Sequence, residues 1–177
     1  MTAGSTTPLT SGTTVEEYLA TSYKPACEYV DGVLRQKPMP TRKHGLLQSW
    51  FGQLLRTGFP GFESESEVTV RIREGKYYIP DVIVQRRDHI QDPYPTEPVH
   101  LCVEILSPDD RTSEVFAKCE EYHAWGVAMT WIVDPDNERA WEYARGERPR
   151  EVAADGSLTA EGIAIPLTEA FSVLHAR

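Results

Sequence analysis

Between residues 41 and 57 apolar side chains return every three or four positions: Leu46, Leu47, Trp50, Phe51, Leu54 and Leu55. That period predicts a helix with one buried stripe, ended by Gly58 and Pro60. A shorter helix is expected after Thr14, a capping residue followed by Glu16 and Glu17. Elsewhere the period falls to two or disappears. Asp31-Gly32 stands between two β-prone stretches and predicts a hairpin. Residues 65–73 alternate polar and apolar, as a half-buried strand does, and a turn at Glu74-Gly75 leads into 77–85. That segment and 100–108 are nearly continuous apolar runs, which predicts central strands covered on both faces. A helix over about 112–125, capped by Asp109 or Asp110 and closed at Gly126, is expected next. Strands at 129–133 and 139–144 flank the turn Asp134-Pro135, and a short β/helix segment ends the chain. Residues 1–13, rich in Thr, Ser and Gly, predict a flexible tail, which leaves 14–177 as a single domain. The order of elements predicts an α/β (α+β) fold with a central mixed β-sheet flanked by helices.

Composition narrows the class. With 177 residues, 40% of them hydrophobic, the chain can bury a core without disulfides or a structural metal. No apolar run approaches the ~20 residues of a membrane span. The N-terminus has neither a basic start nor an apolar segment, which argues against a signal peptide. Cys27, Cys102 and Cys119 are odd in number and set among apolar neighbours, so they read as buried free thiols in a reducing cytoplasm. The net charge of -9 resides in residues 61–140, whereas residues 1–60 carry +2. Such acidity argues against strong nonspecific nucleic-acid binding, which rests on Lys and Arg. It does not exclude a nuclease, whose carboxylates themselves bind a cation.

The most informative feature is one carboxylate within each of the two apolar runs. Asp81 follows Ile79-Pro80 and precedes Val82-Ile83-Val84, and Glu104 stands between Val103 and Ile105. Strand side chains alternate, so Asp81 shares a face with Ile79 and Ile83, and Glu104 with Cys102 and Leu106. An ionised carboxylate on such a face costs several kcal/mol unless it is paired or metal-bound. Two of them on successive strands could converge on one cation, and their hard oxygens suit Mg²⁺ or Mn²⁺. The plainer alternative is that Asp81 caps a turn after Pro80 and Glu104 pairs with an Arg. Without metal, and without a protein partner for Asp81, Asp81→Ala is expected to stabilise the chain.

Lys118 adds a second oddity. At 100° per residue it falls inside the apolar arc of Val115, Cys119, Tyr122 and Trp125. A Lys there either snorkels to the rim or reaches an acidic partner on the sheet. His44 lies on the buried stripe of its helix with Leu47, Phe51 and Leu55, and a backbone carbonyl would satisfy it there. Glu28, between Cys27 and Tyr29, shares this ambiguity. Lys37, like Arg35, Arg42, Lys43 and the other basic residues, reads as solvated surface charge, although Arg42 and Lys43 would favour an anion at a helix start.

Taken in order, these residues resemble a known family. Pro80-Asp81 followed by Glu104 on the next strand is similar to the active-site motif of the PD-(D/E)XK nuclease superfamily. The wider set is Glu28-Tyr29-Val30-Asp31-Gly32, His44, Pro80-Asp81, Val103-Glu104-Ile105-Leu106-Ser107-Pro108, Lys118 with Tyr122, Gly126-Val127 and Trp131-Ile132-Val133-Asp134-Pro135. It resembles the Uma family of proposed restriction endonucleases, a domain of unknown function, over about residues 14–145. The resemblance implies a restriction-endonuclease-like core in which Asp81 and Glu104 hold Mg²⁺ or Mn²⁺ for hydrolysis of DNA. The superfamily's lysine two residues after Glu104 is here Leu106, and Lys118 is the matching position on the following helix. The resemblance further implies Glu28 as an added metal or supporting carboxylate and His44 as a site residue. Thr130 departs from the family's aromatic before Trp131, a change of packing rather than chemistry. A homodimer is expected by analogy, since cutting two DNA strands needs two sites. A catalytically silent nucleic-acid or protein-binding module is the alternative that Leu106 and the acidic charge favour. Hydrolysis of RNA or of another phosphate is a second alternative.

Overall fold

The computed structural model describes residues 8–175, with side chains from residue 12 onward. The chain opens with β1 (Pro8–Ser11), α1 (Val15–Ala20) and a hairpin of β2 (Cys27–Val30) and β3 (Val33–Gln36). Helix α2 (Arg42–Thr57) leads to β4 (Phe62–Ser66), β5 (Val70–Arg73), β6 (Lys76–Tyr78) and β7 (Val82–Arg86). After a loop come β8 (Leu101–Ile105), α3 (Thr112–Trp125), β9 (Met129–Asp134) and β10 (Arg139–Ala144). The C-terminal part comprises β11 (Arg150–Glu151), β12 (Ser157–Ala160), β13 (Ile163–Pro166) and α4 (Leu167–His175).

These strands build a six-stranded sheet in the order β11-β10-β9-β8-β7-β4, a five-stranded sheet in the order β1-β3-β2-β6-β5 and the separate pair β12-β13. The larger sheet is mixed, because β8 and β9 run parallel through the α3 crossover while its other pairs are antiparallel. Helices cover both its faces, as the run-like patterns of β7 and β8 required. Val82, Val84, Leu101, Val103 and Ile105 pack with Leu47, Phe51 and Leu55 of α2 and with α4. The alternate residues Ile83 and Cys102 face Tyr122 of α3. Cys27, Cys102 and Cys119 are buried free thiols. Among the described residues no helix is long and apolar enough to cross a membrane.

The local signals account for most boundaries. Thr14 caps α1 in a capping box with Glu17, and Thr41 caps α2 by accepting from the His44 N–H. Asp31 and Gly32 both take positive φ, 48° and 87°, the backbone of a tight hairpin turn. Gly126 ends α3 at φ 130°, where a Cβ would stand 2.6 Å from the Pro98 ring, so a side chain fits there in neither respect.

Four expectations need correction. Residues 65–73 form two strands, β4 and β5, broken at Glu67, whose φ is 58°. The run 77–85 likewise splits into β6 and β7, because Pro80 has no N–H to give a ladder. Asp81 therefore immediately precedes β7 instead of lying mid-strand. At each break the chain crosses from one sheet to the other, in opposite directions, and the Glu67 N–H donates to the Asp81 carbonyl at 3.3 Å across the seam. Neither Asp109 nor Asp110 caps α3: Arg111 holds that position without a side-chain bond, and the Asp110 carboxylate accepts from the Ser107 N–H instead. Finally, part of the expected tail is a strand. Pro8–Ser11 pairs with the open edge of β3, while residues 1–7 lie outside the described residues.

Candidate active site

The register of β7 and β8 sets Val82 opposite Val103, and one further step sets Asp81 opposite Glu104. Both carboxylates are buried, 2% and 6% exposed. They lie in the floor of a cleft of about 1230 Å³, which α2, α3 and the β2–β3 hairpin also line. Eight carboxylate residues and three Lys or Arg line this cleft, which makes it acidic.

Asp81 is held by three donors. Its Oδ2 accepts from the Ile105 N–H at 2.7 Å, and His44 Nε2 lies 3.3 Å from the same oxygen. Its Oδ1 accepts from Lys37 Nζ at 2.9 Å. Burial alone would raise the Asp81 pKa, but the Lys37 ammonium and His44 hold it well below the usual carboxylate range. Lys37 Nζ also donates to the Ile79 carbonyl at 2.9 Å and to Glu67 Oε1 at 3.0 Å. Gln48 completes this side, donating to Glu67 Oε1 at 2.8 Å and to the Asp81 carbonyl at 3.1 Å.

Glu104 is supplied from α3 instead. Lys118 and Tyr122, one helical turn apart, both reach its Oε1: Lys118 Nζ at 3.0 Å and the Tyr122 hydroxyl at 2.6 Å. Among the described residues no donor bonds Oε2. Burial pushes the Glu104 pKa up to about 7, with Lys118 pulling it down and the Asp81 charge raising it further. Lys118 Nζ stands 2.7 Å from Glu28 Oε1, which also accepts from the Ile79 N–H at 2.9 Å. Burial works against the Lys118 charge, but Glu104 and Glu28 raise its pKa well above normal, so it stays an ammonium. The Tyr78 and Tyr122 rings flank it, with centroids 5.6 and 5.8 Å away.

The fold thus brings together Asp81, Glu104, Lys118, His44 and Glu28. Glu28, expected as an added metal or supporting carboxylate, has its bonded oxygen on the Ile79 N–H and Lys118. His44 is not satisfied by a carbonyl: its Nδ1 is buried with no hydrogen-bond partner, while Nε2 faces Asp81. Leu106 packs with Val115, Cys119 and Ile132, an apolar contact in place of a lysine. Asp81 has protein partners, which reverses the expected sign of Asp81→Ala. The remaining histidines lie apart, with His89 against Glu97 and His175 against Glu138 on the surface. His100 bonds the Glu161 carbonyl, and His123 contacts Thr130.

Sequence reasoning missed Lys37, Glu67 and Gln48. The carboxylate oxygens of Asp81 and Glu104 have the chemistry Mg²⁺ and Mn²⁺ prefer. Among the described residues no group of three or more His, Cys, Asp or Glu side chains is arranged to hold a metal. Two carboxylates still fit these ions, which keep several waters and take one or two protein carboxylates with substrate phosphate.

The sequence model of the family Uma2, described as "Putative restriction endonuclease", matches residues 15–171. The chain is also similar in fold to a crystal structure from Anabaena variabilis titled as a putative nuclease belonging to DUF820. The TM-score is 0.78 and the identity 23%, over 92% of this chain and 99% of that one. No curated protein sequence matches it.

Proposed function

From the premise that this chain belongs to the Uma2 family, we propose that it is a divalent-metal-dependent endonuclease hydrolysing DNA phosphodiester bonds. The observation that carries this reading is the buried Asp81–Glu104 pair, one residue before β7 and within β8, with the Lys118 ammonium delivered to Glu104 from α3. Asp81 and Glu104 would hold Mg²⁺ or Mn²⁺. When bound, such an ion polarises the phosphodiester and lowers the pKa of its water. Lys118, kept charged by Glu28 and Glu104, donates hydrogen bonds towards the attacking water or the phosphoryl oxygens, where negative charge grows. Glu28 is a positioning residue: it fixes Lys118 and ties it to the Ile79 N–H. His44 helps to orient Asp81.

A second reading, a silent binding module on the same fold, draws on a specific observation. Each carboxylate is already in contact with a lysine, Asp81 with Lys37 and Glu104 with Lys118. A paired experiment separates the two. Cleavage of supercoiled and linear DNA is followed with Mg²⁺ or Mn²⁺, beside calorimetric titration of Mn²⁺ into wild type and Asp81→Asn. The nuclease reading expects Mn²⁺ binding that Asp81→Asn loses. It also expects cleavage that Lys118→Ala reduces by about 10²-fold or more while metal binding persists. Mn²⁺ uptake that ignores Asp81→Asn, or Lys118→Ala activity within a few-fold of wild type, overturns the corresponding assignment.

A further inference from the structure

The two oxygens of Asp81 are not equivalent. Oδ2 is pinned by the Ile105 N–H and faces His44, so the carboxylate cannot turn freely. Oδ1 has one protein donor among the described residues, the Lys37 ammonium at 2.9 Å. A cation approaching Oδ1 meets Lys37 first, and two positive charges cannot share that oxygen. Lys37 directly follows β3, where its N–H is fixed to the Ala26 carbonyl. Its side chain already spans from the buried Asp81 to the half-exposed Glu67 carboxylate, 3.0 Å away on the other side. The ammonium can therefore give up one acceptor and keep another without moving the backbone.

Resting on the metal-site reading above, we propose that Lys37 is an exchangeable counter-ion of Asp81. Its ammonium covers Oδ1 in the metal-free protein and swings onto Glu67 when a divalent cation takes its place. Lys37 thus holds the seam between the sheets together without metal, and its charge weakens metal binding. A buried carboxylate without a counter-charge would destabilise the fold. Lys118 does not serve this purpose for Asp81, since its contacts go to Glu28 and Glu104.

The test is calorimetric titration of Mn²⁺ into the full chain, wild type beside Lys37→Met. The variant is expected to bind about tenfold more tightly, corresponding to Asp81 being free of Lys37 in roughly a tenth of wild-type molecules. Binding by Lys37→Met alone supports the proposal in its strongest form. Equal or weaker binding by the variant overturns it and leaves the metal site standing. Binding by neither protein removes the metal site itself, and the exchange with it. A measurement on wild type alone covers the case in which Lys37→Met fails to fold. Acetylation of Lys37 by an N-hydroxysuccinimide ester, read by mass spectrometry, should rise several-fold on adding Mn²⁺. Unchanged labelling at a Mn²⁺ concentration that saturates the protein overturns the exchange.

Discussion

Asp81 and Glu104 oppose each other across β7 and β8 at nearly equal depth, yet the two halves of the site treat them differently. The Asp81 half is built at the seam between the sheets from Lys37, His44 and the Ile105 N–H, and it stabilises a charged carboxylate. The Glu104 half is built on one face of α3, where the Lys118 charge must work against deep burial and the neighbouring Asp81. The outcome is one carboxylate that stays ionised at any ordinary pH and one that titrates near neutrality. Burial is common to both, so it does not decide which proton is held. Counter-charge and backbone donors do. Two acidic groups whose surroundings separate their proton affinities are a pattern of sites that do chemistry as well as of sites that hold ions.

The sharpest way to break the contrast is Asp81→Ala in metal-free protein, measured by chemical denaturation. Lys37 loses its buried carboxylate and the Ile105 N–H its acceptor, so stability should fall by about 3–5 kcal/mol. A gain would mean that the ion pair costs more than it returns, and the Asp81 half would then resemble the other. Next in size is the pH dependence of Glu104. Its proton is held more tightly in the native state, at about 7, than in the unfolded chain, at 4.5, so its contribution is complete below 4.5 and lost as pH rises through 7. Between pH 4.5 and 8 wild type should lose stability from this group, a slope that Glu104→Gln removes. Asp81 has the opposite sign, with stability present above 3.8 and lost only in stronger acid. An unchanged slope in Glu104→Gln would show that Lys118 neutralises Glu104 as fully as Lys37 neutralises Asp81.

Smaller effects sharpen the picture within each half. Tyr122→Phe removes the hydroxyl donor to Glu104 and should cost about 1–3 kcal/mol by thermal or chemical denaturation. Glu67→Gln alters the half-exposed end of the Lys37 bridge and the Gln48 bond to the same oxygen, and should change stability by no more than about 1 kcal/mol. A larger loss there would mean that Glu67, rather than Asp81, anchors Lys37.

Periodicity along the chain accounts for α2, the β2–β3 hairpin, α3 and the apolar strands β7, β8 and β9, because each signal is local. Asp81, Glu104 and Lys118 were legible for the same reason. A carboxylate within an apolar run and a lysine within an apolar helical arc break a pattern that can be read from neighbours alone. The sequence also exposed His44 and Glu28 as ambiguous, although it could not say that Glu28 would serve Lys118. The splits at Glu67 and Pro80, and the pairing of Pro8–Ser11 with β3, were missed because pattern cannot show where a run leaves one sheet for another. Lys37 lies 44 positions from Asp81, just past the end of β3 in a stretch where charge is ordinary. Only the docking of the two sheets places its ammonium on a buried carboxylate. Residue type and alternation determined which groups would be costly to bury, since that cost is a property of each side chain and its immediate neighbours. The tertiary structure alone decided which cation answers each carboxylate, because electrostatic pairing depends on distance in space and not along the chain.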